Sequence, residues 1–439
     1  MNLKNVFLLV LALLTGFNKA SAQEILTLEN AVKIALERNY DIKIQANNVE
    51  IAENNVNRGN AGMLPVINGT VTNNNSVQSG TTNFFDANRA PQVRTGAKSN
   101  NLAYGAALSW TVFDGFSMFA RFNQLRELER LGESNLQLVI LSKIADVTNN
   151  YYNLVFQQQQ LKALQTAIEI SRFRVRTAQN RFVIGKAARL EVLNAQVDLN
   201  TDTTNYLRQQ ESYRNTQILL NEVLARDPSI SFLVQDSITI NQQLTLAELT
   251  DRALKLNPSL QAAIISQRIA ELNLNIVKGA RLPRIGVNTG YNFANSQNGF
   301  GLVQSQNNRG FNYGVTASLN IFNGFLQRRN EQNAIINIRN TELDLERIKQ
   351  SLHTQLATSY QTYLTNLALI KLEESNQKIA KQNMDITLEK FRLGSITTVE
   401  VRDAQLNYIN ASVRLNNALY QAKLGEVGLK EIAGSLTLN

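Results

Sequence analysis

Residues 104–116 read YGAALSWTVFDGF, and residues 313–325 read YGVTASLNIFNGF. In both, apolar side chains alternate with small or polar ones: Tyr104, Ala106, Leu108, Trp110 and Val112 in the first, Tyr313, Val315, Ala317, Leu319 and Ile321 in the second. That period of two predicts a strand, and the Asp-Gly-Phe or Asn-Gly-Phe closing each stretch hands over to a helical period. Residues 285–293 alternate in the same way, while the strand after Pro65 is less regular. Strands of about ten residues, apolar on one face and small or polar on the other, are what a lipid-facing β-barrel requires. A water-soluble sandwich is the alternative. It leaves unexplained the aromatic strand ends Trp110, Phe113, Phe116, Phe322 and Phe325, which read as a girdle at a membrane interface, with core packing as the other reading.

Both stretches belong to a tandem duplication. LTLENAVKIALERN from Leu26 matches LTLAELTDRALKLN from Leu244, pairing Ala35 with Ala253 and Asn39 with Asn257. Further along, Phe182, Gly185, Glu191, Val192, Ala195 and Gln196 match Phe391, Gly394, Glu400, Val401, Ala404 and Gln405. The spacing between copies changes between Pro65 and Tyr104, inside the polar stretch 73–101, which is therefore predicted to be a loop tip. The copies are residues 23–226 and 244–439, joined by a polar linker at 227–243.

After each strand pair, residues 115–184 and 324–393 hold a helical period without proline, about 70 residues each and roughly 105 Å if straight. Both turn at a glycine, Gly185 or Gly394. They return along heptad ladders, Val192, Leu199, Tyr206, Tyr213 and Leu220 mirrored by Val401, Tyr408, Leu415, Ala422 and Leu429, which predicts coiled-coil packing. Residues 28–60 predict an opening helix, and Thr245 with Glu248 a capping box for its counterpart. Opening and returning helices stacked end to end would match one rod, so the linker is expected in a belt midway along it.

Lys4, the apolar run from Val6 to Leu14 and the triplet Ala20, Ser21, Ala22 form a signal-peptide pattern over residues 1–22, cleaved near Ala22. The formal net charge of +9 falls by two when Lys4 and Lys19 leave, and no Lys/Arg block is interleaved with aromatics, so no nucleic-acid partner is expected. With no cysteine and His353 as the single histidine, Cys nucleophiles, disulfides, thiolate metal sites and His-based dyads are excluded. No enzyme activity and no cofactor are expected. Beyond the leader no apolar run reaches the roughly 18 residues of a spanning helix, so a membrane would be crossed by strands.

Four strands cannot close a barrel, and open edges are not tolerated in lipid, so several chains must share one. Two would give eight strands, filled by their own side chains. Three would give twelve and room for water, which suits the Gly/Asn/Ser/Thr inner face. The fold expected is an α+β membrane protein: a homotrimer with a shared 12-stranded barrel, four strands per chain, continued by a periplasmic helical barrel.

The strand-end motifs VFDGF and IFNGF, the turn motifs RFVIGKAARLEVLNAQ and FRLGSITTVEVRDAQ, and their duplicated order resemble the TolC-like outer-membrane efflux family over essentially the whole mature chain. The resemblance implies a trimeric channel in the outer membrane with a large periplasmic portion. It also implies a periplasmic adaptor and an inner-membrane transporter of the resistance-nodulation-division or ABC type. It implies adaptor contact at Phe182, Gly185, Lys186, Phe391, Gly394 and Ser395, where turn formation alone is the plainer reading of the glycines. It places Glu400 and Asp403 at a closed periplasmic aperture, the alternative being solvated helix-face carboxylates. The family's lock also uses a Tyr and an Arg where this chain has Phe391 and Ile396, leaving Arg189, Glu191 or Arg402 to hold the closed state.

The function expected is the exit duct of a tripartite efflux pump for small toxic compounds. The same duct serving type I protein secretion is the alternative, and a non-conducting envelope tether is a third reading.

Overall fold

The alternating and helical periods resolve into one element order, written twice, in the computed structural model, which describes residues 24–86, 88–299 and 303–436. The signal-peptide reading of residues 1–22 lies outside the described residues. The first copy runs β1 (Glu24–Leu26), α1 (Leu28–Arg38), α2 (Tyr40–Asn55), β2 (Val66–Thr82), β3 (Gln92–Asp114), α3 (Ser117–Val183) and α4 (Arg189–Val223). The second runs β4 (Phe232–Val234), α5 (Leu246–Leu256), α6 (Pro258–Gly279), β5 (Arg284–Gln297), β6 (Ser305–Ser318), α7 (Leu326–Arg392) and α8 (Thr398–Ile432). The chain forms two compact units, each drawn from both copies: residues 47–134 with 261–347 hold the sheet, and the remainder holds the helical turns and the short strands.

In the sheet unit the order is β2-β3-β5-β6, every neighbour antiparallel, with β2 and β6 at open edges. The strands are longer than the ten residues expected, at 17, 23, 14 and 14. The polar stretch 73–101 is accordingly not a loop: β2 and β3 stay paired through it to Thr82 opposite Gln92, and residues 83–91 make the connection. Ladder bonds use backbone groups and tolerate polar side chains. Here the side chains add to them, since Asn100 Nδ2 donates to Asn73 Oδ1 at 2.8 Å and to Asn75 Oδ1 at 2.6 Å. The length difference between copies is thus an overhanging ribbon, because β5 and β6 stop at Gln297 opposite Ser305.

The opening helix is broken in both copies, at Asn39 and Asn257. Asn39 Oδ1 accepts from the Asp41 and Ile42 N–H groups, and its Nδ2 donates to Val223 O at 2.8 Å. Asn257 repeats this, accepting from Leu260 N and donating to Ile432 O at 2.9 Å. One buried amide therefore starts a second helix and docks it on the end of the returning helix, satisfying groups that a helix terminus leaves free. At Thr245 half of the predicted box forms. Its hydroxyl accepts from Glu248 N, while the Glu248 carboxylate takes Arg252 instead.

Around these junctions the turn unit packs two equivalent cores. Leu26, Ala35, Val147, Leu154, Leu220 and Phe232 form the first, and Ala253, Leu356, Tyr363 and Leu429 the second. Burying each such side chain contributes about 1.5–3 kcal/mol. The stretch read as a polar linker supplies Phe232 through β4, which pairs in parallel with β1. At the second core Glu426 is buried and accepts from Lys430 at 2.7 Å, Lys423 at 3.0 Å and the Asn241 N–H at 3.1 Å. Burial pushes its carboxyl upward, but Lys430, the Asn241 N–H and Lys423 outweigh it and hold the pKa below the ordinary 4.5.

Candidate functional sites at the helical turns and on the sheet

The two turns share a backbone. Gly185 and Gly394 sit at φ 73° and 82°, with open space where a Cβ would point, so glycine is there for its conformation alone. In each, the next residue bonds back five positions, Lys186 N to Arg181 O at 2.8 Å and Ser395 N to Lys390 O at 3.1 Å. The glycine N–H reaches Phe182 O or Phe391 O at 3.0 Å, completing a Schellman motif.

Their surfaces differ. Phe182 is 39% exposed, beside exposed Val183, Ile184, Leu190 and Leu193, and Lys186 is exposed. Ser395 is exposed as well, but Phe391 is 0% exposed, packed with Met384, Val401 and Ala404. Phe391 is therefore corrected from an adaptor-contact residue to a core residue, because its helix phase turns the ring inward. Arg181 lies 5.7 Å over that ring and donates to Ile396 O at 3.4 Å. The second turn is also the better capped. Thr397 and Glu400 form a full capping box, whereas Ala188 offers α4 no side-chain cap.

That box already occupies Glu400, whose carboxylate accepts from Thr397 N and Oγ1. Asp403 and Arg189 are exposed, and Glu191 is half-buried with one carboxylate oxygen unpartnered among the described residues. Arg402 points elsewhere, donating to both Asp202 oxygens at 2.9 and 2.8 Å. Among the described residues no hydrogen bond or ion pair joins any two of the five residues read as one aperture set.

What the structure does assemble is a buried polar cluster joining α3, α4 and α8. Arg174, 1% exposed, donates to Asp198 Oδ2 at 2.8 Å, Thr398 O at 3.0 Å and Gln405 Oε1 at 3.3 Å. Gln405 Nε2 donates to Ala167 O, Ser171 Oγ and Asp202 Oδ2 at 3.0–3.1 Å, and Ser171 donates to Asp202 at 2.5 Å. Two guanidinium groups balance two carboxylates, as buried charges require. Burial lowers the Arg174 pKa, with Asp198 opposing. Of this cluster only Arg402 was singled out from the sequence. A signal existed in the duplication itself, since Arg174 and Asp202 correspond to Asn383 and Ala411, a charge difference between copies.

On the sheet, register aligns one face into continuous rows: Ile67, Leu108, Thr289 and Tyr313; Gly69, Ala106, Tyr291 and Phe311; Val71, Tyr104, Phe293 and Arg309. A bulge between Thr111 and Phe113 keeps Trp110 and Phe113 on that face, where an odd spacing would have split them. Phe113 and Phe116 meet edge to face at 5.1 Å, as do Phe322 and Phe325 at 5.4 Å. Phe116 and Phe325 both hold positive φ, 66° and 63°, a strain of about 1 kcal/mol or more that turns the rings outward. A second aromatic group, missed as such in the sequence, lies toward the hairpin connections, where Tyr104 stacks on Phe293 at 4.9 Å. Between Ala97 and Thr111 and between Gly286 and Gln297 the opposite face carries no charged side chain, and charge enters it at the helix end, in the row Asp114, Arg284, Ser318. Its rows read Asn68, Ala107, Gly290, Asn312 and Thr70, Gly105, Asn292, Gly310. Among the described residues no helix is long and apolar enough to cross a membrane, and no His/Cys/Asp/Glu group could hold a metal ion.

A family model described as outer membrane efflux protein matches residues 31–226 and 249–435. The chain is 21% identical over 434 residues to the outer membrane protein TolC of Escherichia coli, covering 96% of this chain and 85% of that one. It is 22% identical to the protein of the same name from Vibrio cholerae, over 80% and 81% of the two chains. Among solved structures, the CmeC outer membrane channel of Campylobacter jejuni superposes with a TM-score of 0.74 at 17% identity, over 96% of this chain and 90% of that one.

Proposed function

We propose how a chain that belongs to the outer membrane efflux protein family builds its pore: three copies pool their sheets into one barrel around a wet axis. Members of this family are channels and not enzymes, and the chain is an outer-membrane protein with a periplasmic portion that serves efflux or secretion. The observation that carries the proposal is the sheet itself, apolar on one face, small and polar along the middle of the other and, among the described residues, unpaired along both β2 and β6. Strand directions alternate, so β6 of one copy meets β2 of the next in antiparallel fashion, and three copies supply twelve strands. The continuous apolar rows are the lipid-facing surface, and the Asn/Gly face lines the water.

Export of small toxic compounds through a tripartite pump is the finer reading. The exposed first turn, with Phe182, Gly185 and Lys186, offers apolar surface and one cation to a periplasmic adaptor, joined by Gly394 and Ser395 of the second. The transporter behind that adaptor supplies energy and chooses cargo, because a barrel wall of Asn, Gly and Thr residues selects little. Asp403, exposed past the second turn, forms with its symmetry copies an acidic ring that draws cations. The test is planar-bilayer recording: wild type conducts with cation preference, and Asp403→Asn raises conductance and weakens that preference. An electrically silent protein would favour a tether, and unchanged selectivity in Asp403→Asn with Glu400→Gln would reject the acidic ring.

A further inference from the structure

The apolar face of the sheet ends in a cation. On β5 it extends from Ile285 to Phe293, eight residue steps or about 27 Å of strand, which at a barrel tilt of about 40° spans about 21 Å, close to the height of an apolar belt. The row at its upper limit holds Arg309, directly opposite Phe293. Arg309 is exposed and makes no side-chain hydrogen bond or ion pair among the described residues. A guanidinium at that depth is unfavourable unless it reaches an anion or water at the interface. Beside it lies a cavity of about 310 Å³ whose lining includes Tyr104, Phe293, Asn295, Asn307, Asn308 and Arg309, so that a stacked aromatic pair meets three asparagines and one cation.

The charge around this pocket is one-sided. On the hairpin half of the sheet and its connections the charged residues are Asp86, Arg89, Arg94, Lys98 and Arg309, four cations to one acid, whereas at the helix end Arg284 stands opposite Asp114. Arg89 stacks on Phe84 and Arg94 donates to Gly299 O, but Lys98 is exposed and shares the Arg309 face further out. The strands join helices at their opposite end, so in a protein whose helices stand in the periplasm this basic rim meets the outer leaflet.

We propose that Arg309 and its pocket hold the phosphate of an outer-leaflet lipid head group, with the Asn295 and Asn307 amides as further donors and the lipid chains lying along Phe311 and Tyr313. Arg suits the task because its fork matches phosphate oxygens in pairs. Lys98 adds charge further out. The inference rests on the membrane-spanning reading of the sheet.

The experiment places the full-length protein in phosphatidylcholine nanodiscs doped with lipid A or with the same lipid stripped of its phosphates. Native mass spectrometry then counts the lipids retained per complex. Wild type retains lipid A preferentially, Arg309→Gln weakens that retention about tenfold, Lys98→Gln weakens it less, and Arg309→Lys keeps most of it. Millimolar inorganic phosphate leaves the bound lipid in place. Equal retention of both lipids by wild type, unchanged retention in Arg309→Gln, or displacement by free phosphate would overturn the proposal. Should Arg309→Gln fail to assemble, the phosphate-stripped lipid on wild type and the Arg309→Lys variant still decide. Bilayer conductance separates the two readings, since a conducting protein without lipid A preference refutes this inference and leaves the pore intact.

Discussion

The first and second copies solve one backbone problem with opposite surfaces. Both turns use a glycine at positive φ and the same pair of carbonyl bonds, yet the first exposes Phe182 while the second buries Phe391. The ladders on the returning helices differ in degree: the second buries Val401, Leu415, Ala422 and Leu429 and half-buries Tyr408, while the first buries Val192 and Leu220 and half-buries Leu199, Tyr206 and Tyr213. Both turns keep apolar surface, Ile184 and Leu190 in the first and Leu393 and Val399 in the second, but only the first adds its phenylalanine to it. Duplication supplies the frame, and divergence assigns the roles.

The largest expected effect tests that division directly. Phe391→Ala removes a fully buried ring and should destabilise the turn region by about 3–5 kcal/mol, whereas Phe182→Ala should cost under about 0.5 kcal/mol and instead weaken adaptor binding. Thermal unfolding and adaptor pull-down read the two outcomes, and equal destabilisation by both would erase the distinction. Next comes the buried cluster, confined to one chain's α3, α4 and α8. Arg402→Gln leaves Asp202 without its bidentate partner, and a loss of about 3 kcal/mol is expected, visible as faster hydrogen exchange in α8 beyond Thr398.

The two cores of the turn unit offer a comparison by pH. Glu426 occupies the position that Gln217 holds in the first copy, where Gln217 donates to Phe232 O at 2.6 Å. Because the folded pKa of Glu426 is depressed, its stabilisation is present above the ordinary 4.5 and is lost as pH falls through the lower folded value. Melting curves from pH 6 to about pH 3 should therefore show an acid-labile step that Glu426→Gln flattens. The smallest effects lie at the caps. Thr397→Ala should cost about 1 kcal/mol, and Ala188→Thr should gain about 0.5–1 kcal/mol, since Glu191 already stands where a second box needs it. Exchange of the first α4 amides checks that gain.

Much of this was written in periodicity. The alternation from Tyr104 and from Tyr313, the long proline-free helices and the duplicated glycine turns are local signals, and the structure carries each. Three features escaped because tertiary bonds create them. Asn39 and Asn257 break an amphipathic helix by docking on residues far along the chain, Val223 and Ile432. The polar stretch 73–101 reads as loop until its partner strand is known, and ladder bonds then carry the pairing to Thr82. The Arg174 cluster lies on helices whose heptads look regular, and only the charge mismatch between copies betrays it. Phe391 misled because its motif position matches Phe182, while its burial depends on the neighbouring helices.

The decisive measurement is the mass of the pore-forming species. Native mass spectrometry of the detergent-solubilised, conducting protein should give three chains, since the β2 and β6 edges of a single sheet have no partner of their own. A conducting complex of one chain, its four strands closed on themselves, would contradict the account.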